Sequence, residues 1–544
     1  MRFYHNKKTS NIILLSVSAL LLTGCYAKDT QTEKTEVSEV QEVILDADES
    51  YTPETVPLPV MYIETQSKAA NVMDFITKPI AKHVTESIKM YDPGFSAPEP
   101  YYENCTLTIK DGNGNAFLES TDAQVKVRGN WTTCYDKKPL KIKFAEKQSL
   151  LGLNDSAAFK NWLLLAEYKD CSMLRNKAVL YAARQILGAD GLYAADADFV
   201  QVEVNGKYQG LYLLAEMQQA GKNRVDIKEP EVDYKGTDIG YFLEFDGYFD
   251  NEDELHKFHM DYADNAPLTP FDGHGGSGKQ VKCLNNTHTG YEREIGFTIK
   301  SDIYSQEQHD FVADYVNNVY RIMYEAAYND KAFVFDEDNR TISESSEITP
   351  QQAVENVVDI DSLADMYIIS ELACDADVAW SSFYMDIDFS ADHRKKLTFE
   401  APWDFDSSMG NRPRCIDGKG FYASNIVPDP DAGLDSVNPW FVVLAYEDWY
   451  QDKIKEKWTE LYNGGVFARV CQMVESDKEV LEDEFKKNYR KWHNDKAKYE
   501  FEQELSDAER ECTTEKESAE HLLEWLNNRI DFLNSQWNNQ LEKK

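Results

Sequence analysis

The chain has 544 residues, is 42% hydrophobic and 12% aromatic, and carries a formal net charge of −39. That length and apolar content suffice for a sizeable core in one large or two modest domains. So negative a surface repels phosphate backbones, which excludes nucleic-acid binding as a main role and leaves solvation or a cationic partner as the meaning of the charge.

The N-terminus has a basic start, "MRFYHNKK", a short apolar run, "IILLSVSALLL", and then "LTGC" ending at Cys25. This pattern predicts a signal peptide over 1–25, the apolar run being too short for a stable span. It resembles the lipobox of bacterial lipoproteins, which implies cleavage before Cys25, lipid on its sulfur and anchoring on the outer face of the cytoplasmic membrane. Residues 26–55 are polar and acidic and are expected to form a disordered tether. Eight cysteines follow Cys25, none in a C-x-x-C pair, so no zinc knuckle is expected and disulfide pairing stays open.

From 56 to 228 the pattern is mainly strands. "CTLTIKDGNGNAFLES" turns at Gly and Asn as a hairpin does. Asp111–Asp122, which overlaps it, only half fits a calcium loop, because Ala116 stands where a Gly must turn. "AQVKVRGNW" and "KKPLKIKF" are two strands; in the second, Leu140, Ile142 and Phe144 share one face and Lys141 and Lys143 the other. A helix is expected from Ser172, capped by Asp170, and then the hairpin "FVQVEVNGKYQGLYLLAEM". Residues 229–300 read as a loop-rich insertion. They contain "GHGGSGKQ", a P-loop-like run that ends in Gln280 instead of Ser or Thr and lacks a flanking strand and helix, which excludes a phosphate cradle. Residues 301–540 read as helical.

Two clusters carry the chemistry: "CDADVAWSSFYMDID" (Cys374–Asp388) and "APWDFDSSMGN" (Ala401–Asn411). Carboxylates set among large apolar residues need a cation or donors, and a divalent metal suits two or three of them. Asp377 with Ser382 five residues on, then "DFD" downstream, repeats the order of the catalytic and metal residues in protein kinases.

These segments, with "VRGNWTTCYDKKPLKIKF", "VEVNGKYQGLYLLAEM", "GYFLEFD" and "NPWFVVL", resemble the CotH kinase family, named for spore coat protein H, over roughly residues 55–540. The resemblance implies an α+β, atypical two-lobed kinase-like fold that binds ATP with Mg²⁺ (or Mn²⁺) and phosphorylates a protein. It implies that Asp377 is the catalytic Asp and Asp404 the metal-binding Asp, with Asp406 and Ser382 as helpers. Lys138 or Lys141 would meet the phosphates, Lys143 sharing the face of Lys141. Glu216 would end the strand before the adenine-docking connection. Arg128, Asn130, Arg175 and Asn176 match family motifs. Two departures stand out: Ser382 replaces the usual Asn, and the helix from Ser172 lacks the Glu that pairs with the phosphate Lys in ordinary kinases. A degenerate kinase fold acting as a surface binding module is the main alternative, and a polysaccharide-associated module, suggested by 10 Trp and 31 Tyr, is another.

Overall fold

Alternation of apolar and polar residues dominates the first third of the chain, and the strands it produces close on themselves. The computed structural model describes residues 50–67, 74–77, 82–98, 101–129, 131–262, 266–271, 280–281, 284–285, 296–391, 395–413, 417–429, 434–492 and 504–538. Cys25, Asn130 and most of the glycine-rich run lie outside these. Seven strands form a closed barrel in the order β1-β2-β3-β4-β5-β7-β6. They are β1 (Val60–Thr65), β2 (Glu103–Lys110), β3 (Ala116–Val127), β4 (Leu140–Gln148), β5 (Phe159–Leu165), β6 (Ala197–Val204) and β7 (Lys207–Glu216). Closure comes from β1, which pairs antiparallel with β2 and parallel with β6, Val60 lying opposite Gln201. Met61, Leu107, Val125, Ile142, Trp162 and Val202 fill the interior. Lys126 and Lys141, opposite each other across β3 and β4, project from the other face of the same strands. The Lys141/Lys143 face expected from the sequence is therefore present.

Two local readings change and one strand is new. "FKNWLLL" is strand β5; its last four residues bury on both faces, so it lacks the alternation that marks a strand in sequence. The helix expected from Ser172 starts at Arg175 and runs to Ala189. Asp170 spends its carboxylate on the Ser172 hydroxyl at 2.6 Å and the amides of Ser172 and Arg175 at 3.0 and 2.9 Å, which holds a turn ahead of the helix. The segment expected to be a tether is docked at its end: Tyr51 donates through its hydroxyl to Asp477 at 2.8 Å, and Lys177 pairs with Glu54 and Asp477.

A second sheet has five strands in the order Thr398–Phe399, Phe383–Asp388, Gly240–Phe245, Gly296–Ile299, Lys257–His259. Its central strand, Gly240–Phe245, is buried throughout. Three of its strands thus come from the stretch that reads as loop-rich, where short buried runs lack periodicity. The larger apolar core runs from the Arg175–Ala189 helix through this sheet to Tyr367, Trp440 and Trp537. The helix Ile360–Ala373 runs through this core, buried on nearly every side, and the longer Gln306–Asn329 and Glu515–Trp537 pack against it; each has an N-cap side chain in place. The chain beyond 300 is not helix alone: it also holds the hairpin of Ala332–Phe335 with Ile342–Ser345. Mixed helices and strands, with mostly antiparallel strand pairing, make the fold α+β.

Candidate active site

The Ile360–Ala373 helix ends at Cys374, whose left-handed backbone (φ 45°) turns the chain into the loop bearing Asp377. That loop is held from several sides. Asn438 donates its amide to Val378 O at 2.8 Å, Gly247 N donates to Trp380 O at 2.5 Å, and Ala376 N donates to the Ser408 hydroxyl at 3.1 Å. The Ser408 contact, with Met409 N to Ala373 O at 2.9 Å, joins the Asp377 loop to the turn Ala401–Asn411. The two acidic segments, separate in sequence, meet here.

In the turn, Trp403 and Phe405 are buried and anchor it, while Asp404 and Asp406 are half-buried. Asp404 adopts φ 72°, a left-handed conformation that a non-glycine residue holds only when its surroundings impose it. Those surroundings are visible at the next residue: Phe405 N donates to Asn176 Oδ1 at 2.7 Å, and Asn176 Nδ2 donates to both carboxylate oxygens of Glu167 at 3.0 and 3.2 Å. Asn411 Nδ2 donates to Asp406 O at 2.5 Å and to Lys169 O at 3.2 Å. Ser407 donates its hydroxyl to Asp406 Oδ1 at 3.1 Å.

Electrostatics bind Asp377, Asp404 and Asp406 into one group. Burial, then the charges of Asp406 and Asp377, push the Asp404 carboxyl up to about 8, against the pull of Arg128 and Lys169. Asp406 is also raised, by burial and Asp377, with Lys169 and Arg412 opposing. Among the described residues no three His, Cys, Asp or Glu converge closely enough to hold a metal by themselves. Two neighbouring carboxylates whose mutual repulsion is only partly relieved do suit a divalent cation whose remaining ligands come from phosphates and water.

The barrel supplies cations. Burial, then Lys126, Arg128 and Lys143, pulls the Lys141 ammonium down to about 8. Arg128, fixed by its backbone N–H to Pro139 O at 3.0 Å, is the member of this group that also acts on Asp404. Lys143 is exposed. Lys138 is buried, with its ammonium donating to the Tyr135 carbonyl.

Two residues that the sequence did not single out sit beside these. Lys137 is buried, donates to the carbonyls of Ala166 (2.6 Å) and Leu211, and has its ammonium pulled down to about 7 by burial, with Glu167 opposing. Glu167, raised well above its usual range by burial and then by Asp170 and Asp406, stands eight residues ahead of the helix start at Arg175. The doubled lysine in "KKP" and the lone acid in the apolar "LLLAEY" were the available signals.

Other predicted residues are engaged elsewhere. Glu216 ends β7, fully buried, taken by Arg224 Nε at 3.2 Å, Asn154 Nδ2 at 2.9 Å and Asp196 N at 3.0 Å. Ser382, at φ 60°, donates its backbone N–H to Glu244 Oε1 at 3.1 Å, and Glu244 pairs with Lys300 at 2.6 Å. Arg175 is a strut: it reaches Asp170 at 2.5 Å, Glu509 at 2.6 Å and Met409 O at 3.3 Å without exposure to solvent.

A profile of the family described as CotH kinase protein matches residues 125–533. The chain belongs to the CotH kinase family. The match begins inside β3 and takes in every acidic and basic group described above from Arg128 to Arg412. No curated protein matches the chain.

Proposed function

We propose that this CotH kinase family member transfers the γ-phosphoryl group of ATP to a Ser or Thr hydroxyl of a protein. The observation that carries the reading is the joining of Asp377 to the Asp404–Asp406 turn through Ser408 and Met409, with Arg128 acting on Asp404 from the end of β3. Phosphoryl transfer asks the protein mainly for positioning and charge. Asp377 orients the acceptor hydroxyl and takes its proton late, as the new oxygen–phosphorus bond forms and the bond to the β-phosphate oxygen breaks, ADP leaving with that electron pair. Asp404, helped by Asp406, would hold Mg²⁺ or Mn²⁺, which supplies charge neutralisation on the phosphates. Lys141 and Arg128 face the phosphates from the barrel. Lys137 and Glu167 fix the floor between β4, β5 and the Arg175–Ala189 helix, and Asn176 couples that floor to the Asp404 turn.

In this reading the barrel stands for the nucleotide-binding lobe of a kinase and the larger core for the helical lobe. The Cys25 lipid would hold the enzyme at the outer membrane face, with its protein substrate there. A catalytically weak, binding-only member is the second reading, favoured by Ser382 standing where an Asn ligand is usual.

Thermal shift of the full chain with ATP, with and without Mg²⁺, tests the proposal. Saturation at a hundred times Kd adds about 2.7 kcal/mol of stability. The expected outcome is a metal-dependent shift that Asp404→Ala abolishes. Absence of any shift in the wild type rejects the nucleotide reading and leaves the binding module.

A further inference from the structure

The cations around the acidic turn fall into two sets with different states. On the barrel face, neither Arg128 nor Lys141 makes an ion pair among the described residues. Lys169 and Arg412 are different: both grip one carboxylate oxygen, Glu504 Oε2, at 3.4 and 2.6 Å. Their side chains are 10% and 12% exposed, and that of Glu504 is 21% exposed. Both cations are tied to the acidic turn through Asn411. Its amide nitrogen bonds the backbone oxygens of Lys169 and Asp406, and Arg412 is the next residue. Arg412 also acts on Asp377 and Asp406, and Lys169 on Asp404 and Asp406.

We propose that Lys169 and Arg412 form the subsite for the terminal phosphoryl group of the nucleotide, and that Glu504 holds the pair in position until that group arrives. The inference rests on the phosphotransfer reading above and adds to it the residues that meet the transferred group. Two observations carry it. The occupant of the pair is an anionic oxygen, so the two side chains are already aimed at one anion, where a charge-assisted contact to a phosphoryl oxygen is strong. Asn411 ties the pair to Asp406, assigned to the metal, and Arg412 also feels the charge of Asp377, assigned to the acceptor hydroxyl, so the group in transit passes beside it. The planar guanidinium of Arg412 suits two phosphoryl oxygens at once, whereas Glu504 offers it a single close contact.

The test compares binding of ATP and ADP, each with Mg²⁺, by calorimetry on the full chain. Wild type should prefer ATP by roughly tenfold, the scale of a charge-assisted bidentate contact less what Glu504 takes back. Arg412→Gln and Lys169→Met should each cut that preference to about twofold or less with ADP affinity kept. Arg412→Lys should restore part of it. Glu504→Gln, which removes the competing charge but keeps the shape, should raise the preference about threefold. Retained ADP binding doubles as the check that each variant is folded. An unchanged ATP-to-ADP ratio in Arg412→Gln and Lys169→Met, or a lowered one in Glu504→Gln, overturns the subsite while leaving the kinase reading intact. If wild type binds neither nucleotide, the kinase reading falls and the subsite falls with it.

Discussion

The barrel and the acidic loops solve opposite problems. Among its non-glycine strand residues, the barrel has a left-handed backbone only at Ser120. Among the described residues between Cys374 and Met409, five non-glycine residues do: Cys374, Ser382, Ala401, Asp404 and Met409. The barrel also buries apolar side chains on a regular lattice, while the loops bury carboxylates next to one another. Regular, apolar structure supplies rigidity, and strain together with unrelieved charge is concentrated where chemistry is done. The larger core lies under the loops and over-determines them through Asn438, Ser408 and Asn176.

The contrast can be broken first at its extremes. Trp162→Ala, which empties the centre of the barrel, should cost about 3–5 kcal/mol of stability; chemical denaturation measures it. Asp377→Asn should lower kcat by roughly 10²–10⁴ with little loss of stability, because it removes proton acceptance and leaves the packing in place; a phosphotransfer assay alongside a melting curve separates the two. An Asp377→Asn variant that unfolds instead would mean that the loop serves the fold as much as the barrel does.

Asn176→Ala lies on the seam between the regions. It leaves Phe405 N–H and the Glu167 carboxylate without their partner and should cost about 1–3 kcal/mol. Because the lost bonds orient the Asp404 turn, the metal-dependent nucleotide shift should weaken as well, a readout that simple destabilisation by a cavity at Trp162 should not reproduce.

Acid titration sharpens the same contrast. Asp404 moves from its ordinary 3.8 up to about 8 in the folded protein. Across that window the native state binds more protons than the unfolded chain, so this group lowers stability as pH rises. Asp404→Asn should therefore flatten the fall in melting temperature between about pH 4 and pH 8, measured without added metal. Smallest of all, Lys143→Ala on the exposed outer face should change stability by less than about 0.5 kcal/mol.

Much of this was legible in the sequence because it rests on period or on chemistry. β4 announces itself by Leu140, Ile142 and Phe144 alternating with lysines, and "WDFD" by acids lodged among aromatics. Strands β5 and Gly240–Phe245 were not legible, because a strand covered on both sides has no polar face to alternate with. The start of the Arg175–Ala189 helix was misplaced because an Asp can hold a turn as readily as it caps a helix. Lys137, Glu167 and Lys169 escaped notice because their importance lies in contacts with residues far along the chain. Lys137 reaches Leu211, and Lys169 meets Asn411 and Glu504.

The parallel pairing of β1 with β6 sets an order of events during folding. Val60 can pair with Lys110 once the connection through the Asp74–Thr77 and Lys82–Tyr91 helices has been made, but cannot find Gln201 until the Arg175–Ala189 helix and most of the barrel have been made. Closing so long a loop is entropically slow, and until it happens one edge of β1 offers unpaired amides and carbonyls to any neighbour. Barrel closure is thus expected to be a late step in maturation, and the interval before it is when newly made chains are most exposed to aggregation and in greatest need of a chaperone.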